Sequence, residues 1–142
     1  MIREMTMEDY DSVMSLLARA EGVAIREADS RDATERYLAR NPGFSFVSEA
    51  DGQLVGCIMG GHDGRRGYLQ HLFVRPSFRR RGIGTQLVSR CVDALAAEGI
   101  LKSHLFVKHT NESGREYWSS AGWSQRSDIV MFSHIHSGGA NV

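Results

Sequence analysis

The sequence contains few prolines and few cysteines, and its formal net charge is zero. Two prolines in 142 residues exclude a disordered proline-rich chain. The two cysteines, Cys57 and Cys91, lie within apolar segments, so we expect reduced core thiols and a cytoplasmic protein. Seventeen Lys and Arg residues balance seventeen Asp and Glu residues, which argues against a nucleic-acid-binding protein because such proteins are usually basic.

Long hydrophobic runs are also missing. No apolar run approaches the roughly 20 residues of a membrane-spanning helix, so we expect no membrane partner. The first residues, Met1–Glu4, hold no long apolar stretch and are not typical of a signal peptide. The amino-acid composition is otherwise that of an ordinary globular protein, with 42% hydrophobic and 24% charged residues. The length predicts a single domain over residues 1–136, followed by a disordered tail over residues 137–142.

Hydrophobic spacing predicts helices and strands in one α/β domain with a mixed sheet. Apolar residues at intervals of three and four, with flanking caps and glycines, predict four helices: Thr6 to Gly22, Asp32–Arg40, Ile83 to Gly99, and Ser113–Ala121 with Ser113 and Glu116 as a capping box. Alternating or apolar runs predict six strands: Ile2–Glu4, Phe44–Glu49, Leu54–Met59, Tyr68–Val74, Leu105–Val107 and Ile129–His134. Gly60–Gly67 is predicted to be a loop.

Residues 79–85, between the strand Tyr68–Val74 and the longest helix, are unusual for a structural loop. Three consecutive arginines at positions 79–81 precede the helix, where the helix dipole disfavours positive charge. No Ser, Thr, Asp or Asn stands directly before Gly82 to cap the first backbone N–H groups. Gly82 and Gly84 allow the backbone to approach a ligand closely. A bound polyanion accounts for all three features, and a solvated basic turn is the alternative.

Two motifs resemble those of the GNAT superfamily of acyl-CoA-dependent N-acyltransferases. Residues 79–84 read R-x-x-G-x-G and match the pyrophosphate loop of that family, [Q/R]-x-x-G-x-[G/A], whereas the P-loop and the dinucleotide G-x-G-x-x-G are absent. Residues 111–123 read N-x-x-G-x-x-x-W-x-x-x-G-W and are similar to the second family motif, N-x-x-A-x-x-x-Y-x-x-x-G-[FY]. The element order matches over about residues 1–135. From residue 55 onward the chain looks most like small bacterial acetyltransferases of the YpeA type.

The resemblance implies a fold and a co-substrate. The implied GNAT fold has a mixed, mostly antiparallel central sheet of six or seven strands flanked by about four helices. The implied co-substrate is acetyl-CoA, whose pyrophosphate would be held by the loop residues Arg79, Arg80, Arg81, Gly82, Ile83, Gly84 and Thr85. Its pantetheine arm would pair with the backbone of Leu72, Phe73 and Val74, where an N–H group would also hold the developing oxyanion. From the second motif, Asn111 and Trp118 complete the implied binding set, Asn111 by bonding the pantetheine arm or the following loop.

The catalytic residues depart from the family pattern. The family often has Tyr at the position of Trp118, where the phenol protonates the leaving thiolate, and an indole does not do this. Three alternatives follow: Tyr117 is recruited as the acid, water protonates the thiolate, or no acid is needed. The family often has a Glu on the strand before the loop, and here the side chain that titrates near neutral pH is His71. A structural strand histidine is the alternative, with Tyr68 and Gln70 binding substrate or ordering water.

The sequence therefore predicts acetyl transfer from acetyl-CoA to a primary amine of a small molecule or peptide, by direct attack in a ternary complex. The alternative is a non-catalytic acyl-CoA-binding module that acts as a sensor or contacts a protein. Residues 21–40 often shape the acceptor pocket in the family, and their acidic side chains suit a cationic amine, although a charge run is also typical of a solvated face: Glu21, Glu27, Asp29, Asp32 and Glu35. We expect no metal, because His134 and His136 lack further ligands nearby. Dimers are common in the family, so a homodimer fits the resemblance.

Overall fold

The computed structural model describes residues 1–20 and 23–142. Its helices are α1 (Tyr10–Ala18), α2 (Arg31–Arg40), α3 (Ile83–Ala97) and α4 (Glu112–Ser120). Its strands are β1 (Ile2–Glu4), β2 (Phe46–Ala50), β3 (Gln53–His62), β4 (Gly67–Val74) and β5 (Ser103–His104). The strands form one sheet in the order β1-β2-β3-β4-β5, in which β4 and β5 are parallel and the other pairs are antiparallel. The predictions of an α/β fold, a mixed and mostly antiparallel sheet, and four helices are confirmed.

The sheet has five strands in the described residues, so the prediction of six or seven strands is wrong. Leu105–Val107 lies just beyond β5, which contains only two residues. Ile129–His134 forms no strand, and the side chains from Ile129 to Phe132 are exposed. The pattern of these two segments is typical of strands, but a strand also needs a neighbouring edge to pair with, and that edge is set by the tertiary fold.

Two predicted element boundaries also change. The predicted loop Gly60–Gly67 is shorter, because β3 continues to His62 and pairs with the start of β4. The first helix begins as a 3₁₀ turn, Met7–Asp9, which leads into α1. The predicted helix end at Gly22 lies outside the described residues. The predicted tail has contacts, since the Asn141 carbonyl accepts a hydrogen bond from the Glu27 N–H at 3.0 Å, and the domain limit at residue 136 stays a prediction.

The two faces of the sheet bury separate apolar clusters. Helix α3 covers one face with a cluster of ten buried residues: Phe44, Phe46, Ile58, Leu69, Val74, Leu87, Val88, Cys91, Leu95 and Ile100. Helix α1 covers the other face with a cluster of nine: Met5, Val13, Leu16, Leu17, Val47, Leu54, Cys57, Met59 and Phe73. Both cysteines are free and buried, as predicted. None of the helices formed by residues 1–20 and 23–142 is long and apolar enough to cross a bilayer.

A half-buried ion pair fixes the start of the chain against α1. Arg3 donates to both carboxylate oxygens of Asp9, at 2.8 and 2.7 Å, and Asp9 also accepts the Thr6 N–H at 2.9 Å. These hydrogen bonds, from Arg3 above all, hold the pKa of Asp9 below its usual range despite the opposing effect of burial. The stability that Asp9 contributes is therefore present above the unfolded-state pKa near 3.9, and it is lost as the pH falls through the lower native value.

Replacing Asp9 by Asn should cost roughly 2–3 kcal/mol at pH 7, because Arg3 and the Thr6 N–H lose a charged acceptor. The cost should shrink as the pH falls below about 4, because the carboxylate of the unfolded chain is protonated there while the native one, with its lowered pKa, is protonated only at still lower pH. Urea midpoints measured across this range would show the convergence. Asp128→Asn, which removes an exposed partner of Arg126, is the control and should change little at any pH. A cost for Asp9→Asn that stays constant with pH would contradict the ionic origin.

Candidate active site

The edge of β4 that faces β5 is open along most of its length. The two strands pair only at Gly67 with Ser103 and at Tyr68 with His104, at the start of β4. Beyond this point, residues 69–74 of β4 have no strand partner on that side among the described residues. An open strand edge presents backbone N–H and C=O groups to any ligand that carries amides of its own. Leu72, Phe73 and Val74, the predicted pantetheine-binding residues, lie on this edge.

A β-bulge places His71 in an unusual backbone conformation. The register of β3 against β4 shifts, so that His71 and Leu72 together face Ile58, and His71 has a φ of 55°. The His71 carbonyl, displaced from the ladder, accepts a hydrogen bond from the Cys57 thiol at 3.4 Å. Burial raises the pKa of Cys57 to about 12, so this thiol stays protonated and remains a donor. Bulges of this kind redirect side chains and are frequent beside active sites.

The His71 side chain pairs with Asp29. Nε2 of His71 lies 2.7 Å from Oδ1 of Asp29, and each side chain is only 11% exposed. Burial by itself would raise the pKa of Asp29, but the hydrogen bonds from His71 and from the Arg26 N–H outweigh it and lower the pKa. Asp29 ends a 3₁₀ turn, Glu27–Asp29, in the connection between α1 and α2. The sequence analysis placed Asp29 in an acidic run but did not connect it with His71, which lies 42 residues away.

Two tyrosine side chains, Tyr10 and Tyr68, lie close to this pair. The Tyr10 hydroxyl donates to the Asp29 carbonyl oxygen, and the pKa of Tyr68 is raised by burial and by the nearby Asp29 charge. Burial likewise raises the pKa of Tyr37 to about 12. The Tyr68 ring packs against Phe106, with the ring centroids 5.4 Å apart, where β4 and β5 begin to separate. The pair of Asp29 and His71 thus lies beside aromatic side chains, close to the point where the β4 edge opens.

The loop that follows β4 forms an anion cradle, which we define as residues 80–85. Arg80 and Gly82 have φ values of 64° and 80°, and alternation of such left-handed residues with ordinary ones curves the backbone so that successive N–H groups converge. No side chain of the described residues caps α3 at Gly82. A Cβ atom added to Gly84 would lie in contact with the Tyr117 hydroxyl at 3.5 Å and with the Val74 side chain at 3.7 Å, so the glycine keeps the space between the loop and α4 open. Free N–H groups at a helix start, with space in front of them, suit a phosphate.

Arg79 does not face the cradle. Its Nε donates to the Val74 carbonyl oxygen at 2.8 Å, and its guanidinium lies 5.5 Å from the centre of the Phe73 ring. The side chain therefore ties the loop to the end of β4. Arg80 and Arg81 are exposed, although Arg81 also contacts the Phe78 ring at 5.0 Å. Of the three predicted phosphate-binding arginines, these two remain free to neutralise a bound anion.

The second motif orients α4 toward the cradle. Asn111 caps α4, because its Oδ1 accepts the Gly114 N–H at 3.0 Å; the predicted capping box of Ser113 and Glu116 is wrong, since both residues lie inside the helix. Neighbouring residues on a helix point about 100° apart. Accordingly, the Tyr117 hydroxyl faces Gly84, whereas Trp118 packs against the core and against Trp123, with ring centroids 5.1 Å apart.

The protein thus has an α/β fold in which the sheet opens beside a bulged strand, with a glycine cradle at the end of that strand. This geometry suits an extended, anionic ligand. Residues 10–123 match the model of the acetyltransferase (GNAT) family. The chain belongs to this family, which confirms the resemblance drawn from its two motifs.

Individual relatives agree with this assignment. The chain is 38% identical over 112 residues to an acetyltransferase from Pectobacterium atrosepticum, covering 79% of each chain. It is similar in structure to the PaiA N-acetyltransferase of Thermoplasma acidophilum, solved in complex with coenzyme A (TM-score 0.76, 20% identity, 85% of this chain and 87% of the other). It also resembles the aminoglycoside N-acetyltransferase AAC(6′)-Iy, solved in complex with CoA (TM-score 0.75, 19% identity, 94% and 93%). The two structural similarities concern the fold alone.

Proposed function

We propose that this protein transfers the acetyl group of acetyl-CoA to a primary amine of a small molecule or peptide. One observation carries the proposal: the anion cradle, the open β4 edge and His71 follow one another along a single strand and loop. In acyl-CoA the pantetheine arm joins the diphosphate to the reacting thioester carbonyl, which is the same order. Two structural neighbours crystallised with coenzyme A, and the family itself, support the same ligand.

The residues of the cradle fit a coenzyme A diphosphate. Backbone N–H groups of Gly82, Ile83, Gly84 and Thr85 at the start of α3 accommodate phosphate oxygens, and exposed Arg80 and Arg81 supply counter-charge. The backbone of Leu72 to Val74 pairs with the pantetheine amides. Arg79, Asn111 and Trp118 support this site indirectly, by tying the loop to β4, capping α4 and anchoring α4 in the core.

The proposed reaction is direct attack of the amine on the thioester. His71 accepts a proton from the ammonium form of the acceptor, and the nitrogen lone pair then forms a bond to the acetyl carbon. The C–S bond breaks, its electron pair leaves with sulfur, and the thiolate takes a proton from Tyr117 or from water. The nitrogen, now bonded to the acetyl carbon, releases its second proton, which restores that donor. The products are an N-acetyl amine and free coenzyme A. A backbone N–H at the open β4 edge stabilises the oxyanion that develops on the carbonyl oxygen.

The class of acceptor follows from the surroundings of His71. The Tyr68 ring and the Asp29 carboxylate favour an amine held by aromatic and hydrogen-bonding contacts. The aminoglycoside N-acetyltransferase among the structural neighbours is an example of a small-molecule amine substrate on this fold. Two buried free thiols fit the reducing conditions of the cytoplasm, which we propose as the location.

Release of free thiol from acetyl-CoA is the direct test of this function. The purified protein should bind acetyl-CoA in calorimetry and release thiol with at least one member of a panel of polyamines, aminoglycosides, amino acids and peptide N-termini. Binding without thiol release for any amine would favour the non-catalytic acyl-CoA-binding module. Absence of binding at millimolar acetyl-CoA would contradict both.

A further inference from the structure

We propose that Asp29 is the positioning residue for the base: its carboxylate holds the Nε2–H of His71, so that Nδ1 presents the lone pair that accepts the proton of the acceptor amine. This inference rests on the proposed function, because it assigns a role within the same reaction. It is based on the contact between two side chains from separate elements, the α1–α2 connection and the bulge of β4.

The tautomer of His71 follows from the chemistry of its partner. An ionised carboxylate only accepts hydrogen bonds, so the ring nitrogen at 2.7 Å from Asp29 Oδ1 must carry the proton. In the neutral imidazole the other nitrogen, Nδ1, then carries a lone pair. No described residue forms a hydrogen bond with Nδ1. Asp29 therefore leaves one nitrogen of His71 able to take a proton, and it stabilises the imidazolium that results.

Asp29 is itself held rigidly. Its Oδ2 accepts the Arg26 N–H at 2.9 Å, and its carbonyl oxygen accepts hydrogen bonds from the hydroxyls of Tyr10, on α1, and Thr34, on α2. The Asp29 backbone is thus tied to both flanking helices, and its carboxylate is held by the N–H of its own turn. A preorganised acceptor of this kind keeps the imidazole in a single orientation before substrate arrives.

The backbone at His71 adds an independent indication. A φ of 55° is uncommon for any residue other than glycine, and such conformations persist only where surrounding contacts maintain them. Here the Cys57 thiol bonds the His71 carbonyl oxygen and Asp29 bonds its ring. Two buried partners thus hold one strained residue at the open edge of β4, where the thioester would lie.

The first experiment compares wild-type protein with Asp29→Asn. An Asn at position 29 offers an N–H₂ group as well as an oxygen, so His71 can reverse its tautomer and place a proton on Nδ1. We expect kcat to fall about 10–10²-fold, with the KM for acetyl-CoA within twofold of wild type. Long-range ¹⁵N–¹H spectra of the imidazole should show Nε2 protonated in the wild type and a shift toward Nδ1 in the variant.

A pH profile supplies a second readout. The other charged or titratable groups facing the pair are Arg26 on the same turn, Tyr10 on α1 and Tyr68 on β4, and Arg and Tyr side chains generally do not titrate between pH 5 and 9. Loss of the carboxylate makes protonation of the imidazole less favourable. The acid limb of kcat/KM in Asp29→Asn should therefore move to lower pH.

A double-mutant cycle separates positioning from a structural role. In a His71→Asn background, Asp29→Asn should cause no further loss of kcat, because the residue through which Asp29 acts is gone. A matched control should retain kcat. Asp11→Asn makes the same change in an exposed pair with Arg31, which has no contact with His71.

The outcomes are distinct. Suppose that the wild type releases thiol. If Asp29→Asn then keeps kcat within twofold, or if the losses in kcat of Asp29→Asn and His71→Asn multiply in the double variant, the positioning role is overturned and the proposed function stands. Loss of acetyl-CoA affinity and of thermal stability at an unchanged kcat would assign Asp29 a structural role and overturn the inference in the same way. If the wild type releases no thiol with any amine, the proposed function fails and the role of Asp29 fails with it.

Discussion

Replacing Gly82 by Asp should reduce acetyl-CoA affinity by about 10²–10³-fold. Gly82 precedes α3 with a φ of 80°, and the backbone N–H groups that follow it are those proposed to hold the diphosphate. A carboxylate about 4 Å from a phosphate, at an effective dielectric constant of about 20, is repelled by about 4 kcal/mol per unit charge. The side chain also competes for the same N–H groups, because Asp is itself a good helix cap.

The matched control is Gly99→Asp. Gly99 follows α3 with a φ of 82°, and its surroundings are as open as those of Gly82, so the backbone cost of the two substitutions is nearly equal. Only the Gly82 variant places the charge at the cradle. Calorimetric titration with acetyl-CoA, together with thermal unfolding of both variants, would separate binding from stability. Equal affinities in the two variants would show that residues 80–85 do not bind the diphosphate.

Replacing His71 by Asn should lower kcat by about 10²–10⁴-fold and leave acetyl-CoA affinity unchanged. Asn is chosen because it tolerates a φ of 55° better than most residues and cannot act as a base near neutral pH. Its effect should depend on the acceptor. Deprotonating a lysine-like amine at pH 7 costs roughly 4.6 kcal/mol, whereas an α-amine costs about 1.4 kcal/mol.

The loss of kcat should therefore be larger for lysine-like acceptors than for α-amines, and raising the pH to 9 should restore activity partly in the variant. Steady-state rates of thiol release at saturating acetyl-CoA, for one amine of each type, test this. The exposed His109→Asn is the control and should behave as wild type. An equal loss for both amines at every pH would contradict a role as base and leave His71 a structural strand residue.

Local features of the sequence were sufficient to predict the anion cradle, the proposed binding site for the cofactor diphosphate. The cradle and the start of α3 are adjacent in the chain. Their glycines, arginines and missing cap residue therefore predict the local backbone conformation directly. The β2–β3 hairpin is likewise encoded by its turn at Asp51 and Gly52 and by the apolar runs beside it. Such segments depend on neighbours within a few residues, so spacing and composition predict them well.

The surroundings of His71, the proposed base, depend on long-range contacts that residue spacing does not predict. Asp29 meets His71 across 42 residues, and the bulge that orients His71 arises from the register between β3 and β4. The rotation of α4 sets Tyr117 against Gly84 and Trp118 against the core, a choice that the motif alone left open.

The same reasoning explains the strands that did not form. Ile129–His134 has the composition of a strand, but strand formation requires a partner edge, and partners are assigned by the tertiary fold. The sequence by itself determined the fold class, the family and the anion cradle, because these rest on local pattern. The tertiary structure alone decided which side chains surround His71, the proposed base, because distant segments meet only when the sheet and its covering helices pack.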